Sequence, residues 1–299
     1  MPQADCSMLF NNYALPSAMH DSILRIDDLG LDSDEHPGTR TILGRISLTQ
    51  ARGEWLALAG PNGAGKTSLG LIIKGLIRPT RGGIRMFSDD PDEDLALRRN
   101  RVGFLFSNPR DQICALTVRA DVEFGPLHHG LSRREARIRG DHALDAMGIA
   151  HLANHTTHSL SGGELQKVAL AGLLALNPDY LILDEPSAFL CHRERDELLV
   201  LIRGLHASGM SILFISTGWE EIIMAERVAV LHNGGVCWCS SPSDLLGNQA
   251  VTARAGLCRP EMLALAERLE GRGIVLPTGI HEVNGMAGAL VALTRKGRD

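Results

Sequence analysis

GPNGAGKT, at residues 60–67, is the stretch of this sequence that decides its fold. It fits the pattern G-x-x-x-x-G-K-[ST] at every fixed position. A short apolar stretch at residues 54–59 precedes it and predicts a buried strand. After the loop, apolar residues recur at the spacing of a helix, which we expect to end at Arg78 and Pro79. These apolar residues are Leu69, Ile72, Ile73 and Leu76.

Each part of this loop predicts a contact with a nucleoside triphosphate. Its glycines allow backbone angles that let successive N–H groups face phosphate oxygens, and the following helix presents its positive end to the same anion. Lys66 adds a charge on the β- and γ-phosphates, and the Thr67 hydroxyl is a ligand for Mg²⁺. A glycine-rich turn without a ligand is the alternative. The predicted nucleotide-binding residues are Gly60, Pro61, Asn62, Gly63, Ala64, Gly65, Lys66, Thr67 and Ser68.

Two adjacent carboxylates, Asp184 and Glu185, follow a second apolar stretch at residues 180–183. Buried carboxylates cost free energy unless they have a compensating partner, and ligands bind at the carboxyl ends of parallel strands. We therefore predict that Asp184 holds Mg²⁺ through water. Glu185 is the predicted catalytic residue, which orients or deprotonates the attacking water. A helix cap is the alternative, but it explains only one of the two acids.

A third motif precedes a helix predicted at residues 165–174. Its residues are Leu160, Ser161, Gly162, Gly163 and Glu164. Alone, this sequence is an ordinary helix start. Combined with the loop at 60–67 and the acidic pair downstream, it resembles the signature of the ABC-transporter ATPases. The resemblance implies that residues 160–164, called the signature below, act in trans by closing over the γ-phosphate held by a second subunit.

The resemblance implies an α/β fold, a P-loop NTPase of the ABC ATPase type. Such a fold has a mostly parallel sheet, a small antiparallel β part and an inserted helical subdomain. Continuous apolar strands separated by helices independently predict a parallel sheet that is covered on both faces. Asn233 and Gly234 lie between two apolar runs and predict a tight hairpin near the end of the sheet.

Three further segments are similar to the energy-coupling factor branch of that family, which takes up cobalt, nickel and vitamins. They are residues 108–112, 121–126 and 255–260. The resemblance implies an ATPase that uses ATP and Mg²⁺ and drives transport of a metal ion or vitamin. The implied partners are a second ABC ATPase subunit, in a homo- or heterodimer, an integral-membrane coupling protein and a separate substrate-binding membrane protein. The implied location is peripheral, at the cytoplasmic face of the cell membrane.

The composition predicts that any membrane role depends on partners. The longest apolar run, residues 168–176, has only nine residues and is too short to cross a bilayer. A net charge of -5 gives no general attraction to nucleic acid, so no such partner is expected. Six scattered cysteines without a C-x-x-C pair predict reduced cytosolic thiols. His151 and His155 have the spacing of one helical face, but no Cys or carboxylate completes a metal site.

The sequence pattern also predicts a division of the chain. Residues 1–22 form an N-terminal tail, and residues 23–241 form the nucleotide-binding domain. The helical subdomain occupies about 108–174. Residues 242–299 form a small C-terminal extension with short helices.

The sequence departs from the family pattern at four places. Ser107 stands where the resemblance expects a Gln, Cys191 where it expects an Asp facing the partner subunit, and Thr217 where it expects a His on the γ-phosphate. No aromatic residue for stacking on adenine lies at residues 31–33. We hypothesise that the chain binds ATP but hydrolyses it slowly at its own loop, while its signature serves a partner.

Two alternatives stay open from the sequence. One is a catalytically weak regulatory or structural ABC subunit that binds nucleotide and completes the site of a partner ATPase. The other is a soluble ABC ATPase that acts on nucleic acid or ribosomes. Such proteins usually carry two ATPase halves or an inserted coiled coil, and this sequence has neither.

Overall fold

The computed structural model describes residues 22–33, 40–257 and 268–269. Its strands are β1 (Ser22–Ser33), β2 (Arg40–Ala51), β3 (Trp55–Ala59), β4 (Arg81–Arg85), β5 (Val102–Leu105), β6 (Tyr180–Asp184), β7 (Ser211–Ile215), β8 (Arg227–His232) and β9 (Gly235–Ser240). Its α-helices are α1 (Lys66–Lys74), α2 (Pro91–Arg101), α3 (Val118–His128), α4 (Arg133–Ala146), α5 (Gly162–Leu174), α6 (His192–Ala207), α7 (Trp219–Ile222), α8 (Pro242–Gly247) and α9 (Gln249–Arg254).

The larger sheet has the strand order β5-β6-β7-β3-β8-β9. All neighbouring strands are parallel except β8 and β9, which are antiparallel. The turn between β8 and β9 contains Asn233 and Gly234 with φ of 49° and 74°, the left-handed conformation that a two-residue hairpin turn needs. The predicted mostly parallel sheet and its terminal hairpin are both confirmed.

A smaller antiparallel sheet has the order β2-β1-β4 and confirms the predicted antiparallel part. Strand β3 is buried along its whole length because both faces of its sheet are covered. Leu56 and Leu58 belong to the core that includes Leu69 of α1 and the antiparallel sheet. Ala57 and Ala59 belong to the core on the opposite face, which includes α5 and α6. The loop at residues 60–67 therefore starts from a strand that is fixed on both sides.

Helix α1 is shorter than its apolar pattern predicts. It ends at Lys74, because Gly75 adopts a left-handed φ of 83°. The N–H of Leu76 donates to the carbonyl of Leu71 at 2.9 Å, as in a Schellman cap. Leu76 is 55% exposed, so its predicted place in the buried stripe is wrong. The helical spacing of apolar residues continues to Leu76, although the backbone already leaves the helix at Gly75.

The region predicted to be mainly helical contains α3, α4 and α5, with two short 3-10 segments, Ala150–Leu152 and Thr157–Ser159, between α4 and α5. His151 lies in the 3-10 segment Ala150–Leu152, and His155 follows a turn, so the two do not share a helical face. Helices α8 and α9 bear out the short helices expected after Pro242. Residues 1–21 and most residues after 257 lie outside the described part, and the proposed domain boundaries stay predictions.

Within the described residues, every helix is too short or too polar to span a lipid bilayer.

A buried polar contact ties β6 to β2 under the sheet. The Tyr180 hydroxyl donates to Gln50 Oε1, and both residues are fully buried. Gln50 Nε2 in turn donates to the carbonyls of Glu54 and Ile212, each at 2.9 Å. The side chain of Gln50 therefore connects β2 to the strands on which the site is built.

Tyr180→Phe is expected to lower the free energy of unfolding by about 1–3 kcal/mol, because it leaves Gln50 Oε1 buried without its donor. Chemical denaturation of the purified chain measures this difference. Ser159→Ala is the matched control, since Ser159 is exposed and donates to the carbonyl of Thr156 at 2.8 Å. Its effect is expected to stay below about 0.5 kcal/mol. Equal losses in both variants would contradict the role given to Tyr180.

Candidate functional site: a phosphate-binding edge of the sheet

The carboxyl ends of neighbouring parallel strands meet at one edge of the larger sheet. Leu105 of β5 pairs with Leu183 of β6, and Asp184 pairs with Ile215 of β7. Ile215 also pairs with Leu58 of β3. The residues that end these strands or directly follow them therefore reach the same edge of the sheet. They include Gly60, Ser107, Asp184, Glu185 and Thr217.

The loop at residues 60–67 has a shape that only glycine allows at two positions. Gly65 has φ of 99°, and a Cβ there would lie 2.4 Å from Leu43 Cδ2. A Cβ on Gly60 would lie 2.2 Å from the carbonyl oxygen of Leu231. The loop is thus pressed against β2 and β8. Its backbone conformation is set by these contacts before any ligand binds.

The predicted nucleotide-binding residues are consecutive and span the loop and the start of α1. Residues 60–65 make the loop, and Lys66, Thr67 and Ser68 open the helix. No side chain caps this helix start, because its N-cap residue is Gly65. The first N–H groups of α1 therefore remain available to an anion.

Lys66 is folded onto the loop that precedes it. Its Nζ donates to the carbonyl of Gly60 at 2.7 Å and to that of Pro61 at 3.2 Å. The side chain is only 6% exposed, and this burial lowers its pKa, while the nearby Glu185 and Asp184 act in the opposite direction. An ammonium group so enclosed gains free energy when an anionic ligand replaces the lost water.

Thr67 and Asp184 meet between α1 and β6. Thr67 Oγ1 donates to Asp184 Oδ2 at 2.7 Å. Burial raises the pKa of Asp184, and the hydrogen bond from Thr67 partly opposes this shift. A hydroxyl and a carboxylate are hard oxygen ligands, which Mg²⁺ prefers, and a nearby cation would compensate the buried carboxylate. The two residues therefore fit the predicted metal site.

Glu185 directly follows Asp184 and has a backbone conformation that few residues other than glycine adopt. Its φ is 45°, and its N–H donates to the carbonyl of Ile215 at 2.9 Å. A non-glycine residue in this conformation carries strain that its surroundings must hold in place. The turn directs the chain away from β6 at the point where the catalytic carboxylate is expected.

A cavity of about 410 Å³ opens beside Glu185. The cavity is lined by Glu185 and by two of the three substituted residues, Cys191 and Thr217. The third substituted residue, Ser107, does not line it. Ser107 is half-buried and follows β5 instead. The structure therefore brings Cys191 and Thr217 together and places Ser107 on another side of the acidic pair.

The same cavity contains a buried carboxylate that the sequence reasoning missed. Glu221 is 4% exposed, and its two oxygens accept hydrogen bonds from the hydroxyls of Ser187 and Ser216. Burial raises its pKa, and the two hydroxyls and Arg195 act in the opposite direction. A signal was present, because Glu220 and Glu221 form a second acidic pair shortly after a second apolar strand.

The signature forms the start of α5. Ser161 is the N-cap and exchanges capping-box hydrogen bonds with Glu164, and both Ser161 and Gly162 are exposed. The N–H of Gly163 donates to Glu194 Oε1 of α6 at 3.3 Å. A Cβ on Gly163 would lie 2.8 Å from that carboxylate, so a larger residue there would displace the Glu194 side chain. The signature is thereby fixed beside the loop that leads from Glu185 to α6.

A histidine metal site receives no support from the described ranges. Within them, no group of three or more His, Cys, Asp or Glu residues could hold a metal ion.

The comparisons with known proteins agree with this geometry. The sequence profile described as ABC transporter matches residues 43–188. The cobalt import ATP-binding protein CbiO of Rhodobacter capsulatus is 40% identical over 77% of this chain and 84% of its own length. The energy-coupling factor transporter ATP-binding protein EcfA1 of Symbiobacterium thermophilum is 36% identical over 88% of this chain and 92% of its own.

Solved structures show the same fold. The structure of cbiO1 from Clostridium perfringens, described as part of the ABC transporter complex cbiONQ, has a TM-score of 0.70 and 30% identity and covers 83% of this chain and 100% of its own. The ATP-binding cassette MJ0796, solved as a dimer bound to ADP and Pi, has a TM-score of 0.66 and 26% identity and covers 73% and 98%. This chain therefore belongs to the ABC transporter ATP-binding family, in the cobalt-import and energy-coupling factor branch, whose members are ATPases coupled to transport.

Proposed function

We propose that this chain is the ATP-hydrolysing subunit of an energy-coupling factor importer and drives the uptake of a metal ion or vitamin through membrane partners. The observation that carries the proposal is the convergence of Lys66, Thr67 and Asp184 at the edge of the parallel sheet. The names of its relatives, which are cobalt-import and energy-coupling factor subunits, support the transport role. They do not favour the alternative of a purely regulatory subunit.

Nucleotide binding follows from the loop and the start of α1. The N–H groups of residues 60–68 surround the phosphates, and Lys66 exchanges its carbonyl partners for phosphate oxygens. Thr67 and Asp184 hold Mg²⁺, which when bound neutralises charge on the phosphate oxygens. Glu185 accepts the proton of the water that attacks the γ-phosphate, so it is the catalytic residue of the proposal.

The signature acts on a second subunit. Ser161 and Gly162 are exposed at the positive end of α5, which suits contact with a phosphate group presented by another chain. The dimeric form of the MJ0796 cassette supports this arrangement. ATP then lies between two subunits, which are two copies of this chain or this chain and a related ATPase.

The membrane partners are an integral-membrane coupling protein and a separate substrate-binding protein. The coupling protein docks in the groove between residues 107–112 and the helical region. The chain itself is peripheral, at the cytoplasmic face of the membrane. No nucleic-acid partner is proposed, since the net charge of -5 gives no electrostatic attraction to phosphate backbones.

Hydrolysis at this chain's own loop is proposed to be slow. Thr217 lacks an imidazole, and Ser107 is shorter than the expected Gln. The loss of one such polar group commonly costs about 2–4 kcal/mol of transition-state stabilisation, or roughly a hundredfold in rate. The hydrogen bonds of Lys66 and Thr67, the residues proposed to meet the phosphates and Mg²⁺, do not involve these two positions.

Lys66→Ala is expected to weaken ATP binding by about tenfold or more, because the buried ammonium is lost. Glu185→Gln is expected to keep ATP affinity while turnover falls by about a hundredfold. Titration with a fluorescent ATP analogue and a phosphate-release assay measure the two quantities. Lys74→Ala is the matched control, because Lys74 lies at the other end of α1 and donates to the carbonyl of Arg99. Equal loss of affinity in both lysine variants would contradict the proposed site.

The double variant Ser107→Gln with Thr217→His is expected to raise turnover of the isolated chain by about tenfold or more, since it restores two donors to the site. Steady-state phosphate release measures the rate. Thr217→Leu is the control, because it fills similar space without an imidazole. Fast turnover by the unmodified isolated chain would contradict the hypothesis of slow hydrolysis.

The transport role is tested on the assembled complex. A tagged chain, expressed in its native host and purified from detergent-extracted membranes, is expected to bring down integral-membrane proteins. Reconstituted in vesicles, the complex is expected to take up one member of a labelled panel of cobalt, nickel and vitamins when ATP is supplied. A complex carrying Lys66→Ala should assemble without uptake. Recovery of the chain without any membrane protein would contradict the proposal.

A further inference from the structure

One buried carboxylate connects the two loops that surround the proposed catalytic residue. Glu221 Oε1 accepts the hydroxyl of Ser187, which lies two residues after Glu185. Glu221 Oε2 accepts a hydrogen bond from the hydroxyl of Ser216, which directly precedes Thr217. We call residues 185–191 the Glu185 loop and residues 216–218 the Thr217 loop. The carboxylate of Glu221, which lies on α7, therefore accepts a hydrogen bond from each of these two loops.

The Thr217 loop depends on the same contact for its shape. Ser216 Oγ donates to Glu221 and accepts the N–H of Gly218 at 2.8 Å, so the hydroxyl closes the turn around Thr217. Ser216 is 1% exposed, which leaves it no solvent to replace a lost partner. The position of Thr217 is therefore tied to the carboxylate of Glu221.

A cavity, rather than closely packed side chains, borders one side of both loops. The cavity of about 410 Å³ is lined by residues of both loops, Glu185 and Thr217 among them, and by Glu221 itself. Glu185 also has a strained φ of 45°, which persists only when neighbouring contacts fix the backbone. Because side chains of both loops face a cavity, hydrogen bonds rather than close packing must fix the backbone of the loops.

We propose that Glu221 is a positioning residue for ATP hydrolysis: it holds the Glu185 loop and the Thr217 loop in one fixed arrangement. The inference rests on the proposed function, because it assigns the geometry of that same site. Glu221 acts through Ser187 and Ser216 and not on the nucleotide. The hydrogen bonds of Lys66 and Thr67 go to Gly60, Pro61 and Asp184, which keeps nucleotide binding separate from this link.

Glu221→Ala is expected to reduce kcat by about tenfold to a hundredfold, since small displacements of catalytic groups have effects of this size. The KM for ATP and the affinity for a fluorescent ATP analogue are expected to stay within about twofold. Glu221→Gln is the conservative rescue. Its amide can still bond both serine hydroxyls, one by accepting and one by donating, so kcat should stay within about threefold of the unmodified chain.

The serine variants test the link without removing the buried carboxylate. Ser187→Ala and Ser216→Ala should each lower kcat by a smaller factor, and neither should lower it further in the Glu221→Ala background. They keep the proposal testable if Glu221→Ala does not fold. Asp94→Ala is the structural control, because Asp94 is fully buried and accepts the N–H groups of Met86 and Phe87. It should lower the Tm without changing kcat well below that temperature.

The outcomes separate the two proposals. An unchanged kcat in Glu221→Ala and both serine variants would overturn the positioning role, as would a Glu221→Gln variant as slow as Glu221→Ala, because charge rather than position would then matter. A loss of ATP affinity equal to the loss of kcat would overturn it as well. Failure of the unmodified chain to bind ATP would instead contradict the proposed function.

Discussion

The parallel arrangement of β3, β5, β6 and β7 is the constraint on which the site depends. Because these strands point the same way, the residues that follow them reach one edge of the sheet, although they are far apart in sequence. The glycine loop, the acidic pair and Thr217 are neighbours for this reason. Strand β3 fixes the loop most firmly, since hydrophobic cores cover both of its faces. A shift of β3 would move the whole phosphate-binding surface.

Buried charged side chains are a second feature of this edge of the sheet. Three charged residues are each less than a tenth exposed: Lys66, Asp184 and Glu221. Burial lowers the pKa of the lysine and raises the pKa of the two acids, and each shift favours the neutral form of the group. Every one of them has a hydrogen-bond partner on a different element. Lys66 meets the loop carbonyls, Asp184 meets Thr67, and Glu221 meets two serines. The cost of desolvation is therefore offset by contacts that also fix the relative position of the elements.

Local patterns predicted the parts of the molecule that local physics decides. The glycine loop and the pair Asp184 and Glu185 could be assigned from sequence because strand, turn and polar residues are adjacent there. The end of α1 was misplaced, since the apolar spacing runs on to Leu76 while Gly75 turns the backbone. The acidic pair Glu220 and Glu221 is visible in the sequence, but the contact of Glu221 with Ser187 depends on the order of β6 and β7, which no short pattern reveals. The close approach of Gly163 to Glu194 is a tertiary contact of the same kind.

The substituted positions Ser107, Cys191 and Thr217 lie outside the loop at residues 60–67 and the start of α1, and this placement separates the proposed binding from the proposed hydrolysis. In the proposed function, nucleotide binding depends on the loop after β3, on α1 and on Asp184, where Lys66 donates to the carbonyl of Gly60 and Thr67 donates to Asp184. Hydrolysis is proposed to depend on the loops after β5, β6 and β7, which contain Ser107, Cys191 and Thr217. The proposed closure of an ATP-bound pair of subunits requires the binding residues and an exposed signature, and Ser161 and Gly162 of the signature are exposed. A slow chemical step is therefore compatible with a full mechanical role, because the conformational change draws on binding energy and the chemistry sets only how soon it is reversed.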